Sequence, residues 1–235
     1  MIYITGDTHG FNDIDKLVLN KTLASLSTDD FLLITGDFGG IWDGGMHDED
    51  ILNYYAGQPY TTLFVDGNHE NFDLLNSYPV ELWNGGKIHR ITDKVIHLMR
   101  GQIFHLENRS VFTFGGAASI DRAYRTIGVS WWPEEEPSGE ECREALENLK
   151  KNDFLVDYIV THAAPESVVR SEITSAHRLL CMDCIAEKFL DTVLEKTVYR
   201  RWYCGHYHFD MPVNEHRLRV LYQNVVDLQT GVRVK

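Results

Sequence analysis

Five short apolar runs in this chain, four of them followed by a glycine, each lead to a side chain that can hold a metal ion. Met1-Ile2-Tyr3-Ile4 leads to Gly6-Asp7-Thr8-His9, Phe31-Leu32-Leu33-Ile34 to Gly36-Asp37, and Leu63-Phe64-Val65 to Gly67-Asn68-His69-Glu70. Tyr158-Ile159-Val160 leads to Thr161-His162, and Trp202-Tyr203-Cys204 to Gly205-His206-Tyr207-His208. Short apolar runs bounded by turn residues read as buried strands. A glycine at the end of a strand lets the backbone turn sharply, so the next side chain is presented in the crevice outside the strand's carboxyl end. Five strand ends can therefore converge on one place. The spacing points to a two-metal hydrolytic site.

Each segment alone says little, because Gly-Asp is a common turn dipeptide and a lone histidine is more often structural than ligating. Their repetition at five strand ends carries the argument. Mixed Asp, Asn and His donors without cysteine suit Mn²⁺, Fe or Zn²⁺ in five- or six-coordinate geometry, whereas a closed structural zinc site would draw on thiolates. Two divalent ions about 3.5–4 Å apart can hold a bridging hydroxide, lower its pKa towards neutrality and clamp a phosphoryl group during in-line displacement.

The set of segments resembles the calcineurin-like metallophosphoesterase superfamily, whose pattern reads D-x-H, G-D-x-x-D, G-N-H-[DE], a lone H and G-H-x-H. The resemblance runs from Asp7 to His208. It implies a four-layer α/β/β/α sandwich of two mixed sheets, with a dinuclear site at the strand C-terminal edge. It also implies a ligand set: Asp7, His9 and His208 on one ion, Asn68, His162 and His206 on the other, and Asp37 bridging both. The second block departs from the pattern. Gly40 stands where many relatives carry a second Asp, in Gly36-Asp37-Phe38-Gly39-Gly40, and the phosphate-binding Arg that follows in protein Ser/Thr phosphatases is missing too. That argues against the protein-phosphatase branch and leaves the partner that orients His69 open, with Asp43 and Asp66 as candidates.

His69 follows the expected ligand Asn68, so its imidazole faces the substrate side of the same loop, where it can protonate a leaving oxygen or neutralise charge in the transition state. The blander role is packing or capping a helix that starts at Glu70. The stretch from Gly115 to Pro137 is the least regular, holding Arg122, Tyr124, Arg125, Trp131-Trp132-Pro133 and three consecutive glutamates. A loop this long inside a compact domain is usually functional or disordered. It is expected to be a substrate-site insertion at about 115–137, with Arg122 or Arg125 binding phosphate by bidentate geometry. The competing role is a surface excursion pinned by its tryptophans. Arg90 and Arg100 are further candidates, but they fall in a hairpin region where an exposed structural role is easier to accept.

The 235 residues are enough for one domain with a sizeable core, and the formal net charge is −13. An acidic balance of this size makes a broad surface for long nucleic acid unlikely and favours a small phosphorylated substrate or nucleotide. With no basic leader and no run of about 18 apolar residues, a soluble cytoplasmic protein is expected, without membrane association. Cys181-Met182-Asp183-Cys184 has metal-like spacing, yet it lies in a stretch, His177 to Glu195, that patterns as an amphipathic helix, which favours buried cysteine over a second zinc site. His47, His89, His97, His105, His177 and His216 are expected to be surface or structural.

Helices are expected over Asp13 to Leu26, about His47 to Tyr55, Glu70 to Asn76 and Glu140 to Leu149. From Lys87 to Phe114, short alternating runs imply a second, more antiparallel sheet, and Arg217 to Val234 patterns as two strands around Gln229-Thr230-Gly231. The functional reading is a dinuclear metal-dependent phosphoesterase. A nuclease or RNA-end-processing phosphodiesterase is the alternative within the enzyme class, and a non-catalytic protein-interaction scaffold is the alternative outside it.

Overall fold

The structure is a computed structural model that describes residues 1–177 and 183–235. Two mixed sheets are stacked face to face. In the first, β1 (Ile2–Thr5), β2 (Phe31–Ile34), β3 (Thr61–Phe64) and β6 (Val95–Leu98) run parallel. β5 (Gly86–Thr92), β4 (Val80–Trp83) and β13 (Val226–Asp227) add antiparallel edges, in the order β13-β1-β2-β3-β6-β5-β4. In the second, β12 (Leu218–Val220), β10 (Arg201–Cys204), β9 (Tyr158–Thr161) and β8 (Arg109–Phe114) are parallel. There β11 (Met211–Val213) and β7 (Gln102–Leu106) close the edges.

Alternation along each strand explains the layering. Ile2, Ile4, Leu33, Leu63 and Val65 point between the sheets, where they meet Val111, Tyr158, Val160 and Tyr203 in one apolar cluster. The intervening Tyr3, Leu32, Ile34 and Phe64 face outward into a second cluster with Ile51 and Tyr55 of α2 (Met46–Ala56) and with Phe72 and Leu75 of α3 (Phe72–Leu75). On the far side Phe112, Phe114, Ile159, Trp202 and Cys204 pack on Ala145 and Leu149 of α4 (Gly139–Lys151) and on Leu190 and Val193 of α7 (Ile185–Lys196). Side chains at i and i+2 share a sheet face, so strands buried on both faces read as continuous apolar runs. The result is the α/β/β/α order that the resemblance implied.

Several expectations need correction. The helix expected from Asp13 to Leu26 is broken into α1 (Asp15–Val18) and a 3₁₀ turn (Leu23–Ser25). Asn20 Oδ1 accepts from the backbone of Thr22 and Leu23, and this local side-chain capping competes with helix continuation. The helix expected to begin at Glu70 begins at Phe72, with Asn71 as its N-cap accepting from Leu74 N at 3.1 Å. The strands between Lys87 and Phe114 do not form one sheet: β5 and β6 extend the first and β7 and β8 the second. The tail is also divided, β12 joining the second sheet and β13 the first, with only a bridge between Val226 and Arg233 around the expected turn. Cys181 falls outside the described residues, so the four-residue spacing there is not described; Cys184 is buried, and that burial pushes its thiol up to about 12.

Arg100 is not exposed. It is 7 % accessible and forks onto Asp66 with Nε at 2.8 Å and Nη2 at 2.6 Å, while His97 Nε2 lies 3.2 Å from the other carboxylate oxygen. His89 and His97 make a buried structural pair, their Nδ1 atoms 3.1 Å apart. Arg100 Nη2 also donates to the carbonyls of Glu134 and Glu135. Asp66 ends the run after β3, so this network locks the start of the Asn68-His69 loop to the segment around residue 135. Burial raises the Asp66 carboxyl, but Arg100 and His97 outweigh it and hold the group well below its ordinary 3.8. The stability from that pairing is therefore complete above about pH 4 and lost as pH falls below it. Replacing Arg100 by Met leaves an uncompensated buried charge, and chemical denaturation at pH 7 should show a loss of about 3–5 kcal/mol. A loss below about 1 kcal/mol would show that the pair is dispensable.

Candidate metal centre

All five strand ends named by the sequence reach one edge of the two sheets. The loop after β1 carries Asp7 and His9, that after β2 carries Asp37, and that after β3 carries Asn68 and His69. From the second sheet, His162 follows β9, and His206 and His208 follow β10. The backbone is strained where it presents these side chains. His9, Asp37, His206 and His208 have φ of 43°, 46°, 68° and 55°, a left-handed conformation that costs L-residues about 1–3 kcal/mol each. Glycines make the close approach possible: a Cβ at Gly36 would overlap the His162 ring, one at Gly67 the Asp37 carboxylate, and one at Gly205 the Asp7 carboxylate.

Donor atoms of Asp7, His9, Asp37 and His208 lie within 4.8 Å of one another. His9 Nε2 is 3.3 Å from Asp37 Oδ2, and His208 Nε2 is 3.4 Å from Asp7 Oδ2. At the other oxygen of Asp37, Oδ1, His162 Nε2 lies at 3.6 Å, with Asn68 Oδ1 3.1 Å from that same nitrogen. The His206 ring packs edge-on against His162 with centroids 4.9 Å apart. The seven expected ligands are thus brought together, with Asp37 between two groups of donors.

Surrounding contacts fix how these donors point. His162 Nδ1 lies 2.8 Å from the Thr35 carbonyl, an acceptor only, so Nδ1 carries a proton and Nε2 is the atom turned towards Asn68 and Asp37. His9 Nδ1 is held 2.8 Å from Asp13, which in turn accepts from Tyr222 OH. The single backbone N–H of His206 is shared between both Asp7 oxygens, and that of His69 donates to Asp37 Oδ1. Lys16 Nζ reaches the carbonyls of Gly6, Asp7 and Tyr222, fastening the β1 loop. Thr35, Asp13, Tyr222 and Lys16 were not identified from sequence; they act through backbone groups or second contacts that no local spacing marks.

The electrostatics suit cations. Burial raises the carboxyls of Asp7 and Asp37, yet the histidines around them, His208 and His162 at Asp7 and His162 and His9 at Asp37, hold both below the ordinary carboxylate range. Asp37 Oδ2 is buried without a hydrogen-bond partner. Burial lowers His9, but Asp37, Asp7 and Asp13 push it up to about 9, while desolvation and neighbouring His162 push His206 down to about 3. Asp37 Oδ2 accepts no well-formed hydrogen bond and is met at 3.3 Å by His9 Nε2, an ion pair that a bound metal ion would replace. The donor set is oxygen and imidazole nitrogen, with Cys204 buried in the apolar cluster between the second sheet and its helices, so Mn²⁺, Fe or Zn²⁺ fits it.

The family model for calcineurin-like phosphoesterases matches residues 1–210. This chain belongs to the calcineurin-like phosphoesterase family. It is accordingly a metal-dependent phosphoric ester hydrolase, and its Asp and His cluster can bind metal. No curated protein matches the sequence. Among solved structures, the crystal structure of the phosphopantetheinyl hydrolase from Mycobacterium tuberculosis is similar at 15% identity and a TM-score of 0.45, covering 94% of this chain and 87% of that one. No helix among the described residues is long and apolar enough to cross a membrane.

The departure in the second block has a physical cause. A side chain at Gly40 would run into the Phe38 ring and Ile51; Phe38 stacks on Phe64 at 4.4 Å and lies 4.9 Å from Tyr55. Aromatic packing takes the room that a second Asp would need. Neither expected substitute touches His69: Asp66 is paired with Arg100 and His97, and Asp43 Oδ1 accepts from Gly45 N. Arg125 lies there instead. Its Nη2 is 3.1 Å from His69 Nε2, and its Nε is held 2.8 Å from Asp121. Arg122 sits on an exposed 3₁₀ turn (Arg122–Tyr124) beyond it. The base of the segment is pinned as the packing alternative required, since Trp132 is buried and its Nε1 donates to Asp73 at 2.8 Å.

A cation that binds His9 must displace its proton. Mn²⁺ titrated at pH 7 in buffers of different ionisation enthalpy should therefore release about one proton per chain from His9, and affinity should rise with pH until about 9 and then level. Binding without proton release and without pH dependence across that range would remove His9 from the ligand set.

Proposed function

We propose that this chain hydrolyses a small phosphate ester or nucleotide at a pair of divalent transition ions. Asp7, His9 and His208 would hold one ion, Asn68, His162 and His206 the other, and Asp37 would serve both. The observation that carries this reading is the buried Asp37 carboxylate, whose two oxygens face separate imidazoles, His9 at one and His162 at the other, the first without a hydrogen bond. When bound, such a pair supplies Lewis acidity that activates water and neutralises charge on the phosphoryl group.

The protein's own part is positioning. Its left-handed strand-end residues and close-packed glycines hold the donors before substrate arrives, so little reorganisation remains for the reaction itself. His69 is anchored by its backbone N–H to Asp37 Oδ1, and its ring packs 5.4 Å from that of His9, which sets it at the rim of the donor cluster. From there it can give a proton to the leaving oxygen as a neutral imidazole, the form that burial and the Arg125 guanidinium favour. Arg125, oriented by Asp121, supplies the fixed guanidinium that the second block lacks and takes a phosphoryl oxygen beside His69. The 115–137 segment is in this reading the substrate-side insertion, with Arg125 as its contact and Arg122 outside it. The formal charge of −13 favours a compact phosphorylated molecule over long nucleic acid. A scaffold on this fold would have no need for a complete donor set or for His69.

A metal-reconstituted screen of aryl phosphate monoesters against diesters, followed by nucleotides, tests the substrate class. Elemental analysis should find two transition ions per chain, with activity lost in chelator and restored by add-back; full activity in metal-free buffer would end the mechanism. His69→Ala should keep both ions and lower kcat about 10²–10⁴-fold on alkyl phosphates, with a smaller loss on aryl phosphates that need little protonation. Equal loss on both would replace proton donation by charge neutralisation. Arg125→Ala should weaken kcat/KM by about 10-fold or more, as expected for losing a hydrogen bond to a charged group, and Arg125→Lys should not restore it. Unchanged kinetics in both variants would leave the segment as packing.

A further inference from the structure

Asn68 is an ambiguous ligand. Only its carbonyl oxygen can hold a cation, and a half-turn of the amide presents two N–H donors instead. His162 by itself does not forbid the wrong orientation, because an unprotonated Nε2, 3.1 Å from the Asn68 side chain, can accept from Nδ2 as readily as a protonated one donates to Oδ1. Yet Oδ1 faces His162, and Nδ2 is turned away to donate to Ser119 Oγ at 3.1 Å.

We propose that Glu135 is a positioning residue for the metal centre, fixing the Asn68 amide through Ser119. Glu135 is completely buried, and both its oxygens are taken by Ser119: Oε1 accepts from the backbone N–H at 2.9 Å and Oε2 from the hydroxyl at 2.5 Å. A carboxylate only accepts, so it commits the single hydroxyl proton of Ser119. The hydroxyl oxygen can then only accept from Asn68, which must turn Nδ2 towards it and leave Oδ1 at the metal side. Arg100 and Ala117 hold the carboxylate in place through the Glu135 carbonyl, Arg100 Nη2 at 3.3 Å and Ala117 N at 3.1 Å. The chain Glu135 to Ser119 to Asn68 thus joins the irregular 115–137 segment to the metal centre and gives that segment a role separate from substrate contact.

This inference rests on Asn68 being a ligand, and the test separates the two. Glu135→Gln preserves shape but can donate from its amide to Ser119 Oγ, freeing the hydroxyl proton to go to Asn68 Oδ1 and turning Nδ2 inward. Mn²⁺ affinity of the weaker site, measured by calorimetry on the full chain, should fall about 10–100-fold, as for other groups that orient a ligand. Ser119→Ala, which removes the hydroxyl without adding bulk, should do the same and covers the case in which Glu135→Gln fails to fold. In an Asn68→Asp background a carboxylate presents an oxygen whichever way it turns, so adding Glu135→Gln should change affinity by about twofold or less. If Asn68→Ala loses the second ion while Glu135→Gln and Ser119→Ala bind it as wild type does, the positioning role is wrong and the ligand assignment stands. If Asn68→Ala binds both ions normally, the ligand assignment itself fails. An equal loss from Glu135→Gln in the native and Asn68→Asp backgrounds would show general structural damage instead of amide orientation.

Discussion

A buried carboxylate without a full set of donors governs the rest of this structure. Asp37 is 1 % accessible, anionic and tied on one oxygen to a backbone N–H, while its other oxygen has no hydrogen-bond partner. Placing such a group in a protein interior costs several kcal/mol unless positive charge compensates. Around it the fold spends further strain on four left-handed, non-glycine residues, and it removes Cβ atoms at Gly36, Gly67 and Gly205 so that ligands from one strand end can lie against the backbone of another. His9, pushed up to about 9 and 3.3 Å from that Asp37 oxygen, supplies part of the compensation, and cations between the donors would supply the rest. The outer layers of helix and the apolar cluster between the sheets hold the strand ends in register for that purpose.

How much of this was legible in the sequence follows from which interactions are local. Strand runs and the residues just past them are adjacent in the chain, so the five blocks could be read directly, and the two mixed sheets and their α/β/β/α layering followed from the family resemblance that those blocks carry. What could not be read depends on contacts between distant segments. The break after Val18 comes from Asn20 capping Thr22 and Leu23, a choice that periodicity over Asp13 to Leu26 does not reveal. The division of residues 87–114 between two sheets turns on which edge each hairpin joins, and alternation is the same for either edge. Arg100 read as exposed because its neighbours alternate, whereas its partner Asp66 lies 34 positions away.

The second block shows the same limit in a more informative way. The missing Asp at position 40 was visible, but what replaces it was not. Phe38, Phe64 and Tyr55 fill the space with aromatic packing, and the group beside His69 comes from a segment more than fifty residues later. That segment looked irregular because it has no repeating apolar pattern. Its order comes from point contacts: Trp132 to Asp73, Arg100 to the Glu134 and Glu135 carbonyls, and Glu136 to the backbone at the start of α7. A run of three glutamates conceals two buried or capping roles that differ residue by residue.

The central claim is that Asp37 joins two ions, and electron paramagnetic resonance of the Mn²⁺-loaded protein tests it most directly. At full loading the account predicts the spectrum of an exchange-coupled Mn²⁺ pair, with coupling lost in Asp37→Asn while Asp7, His9 and His208 still hold a single ion. A fully loaded native protein that shows only the six-line spectrum of isolated Mn²⁺ would contradict a shared carboxylate and the dinuclear site built on it.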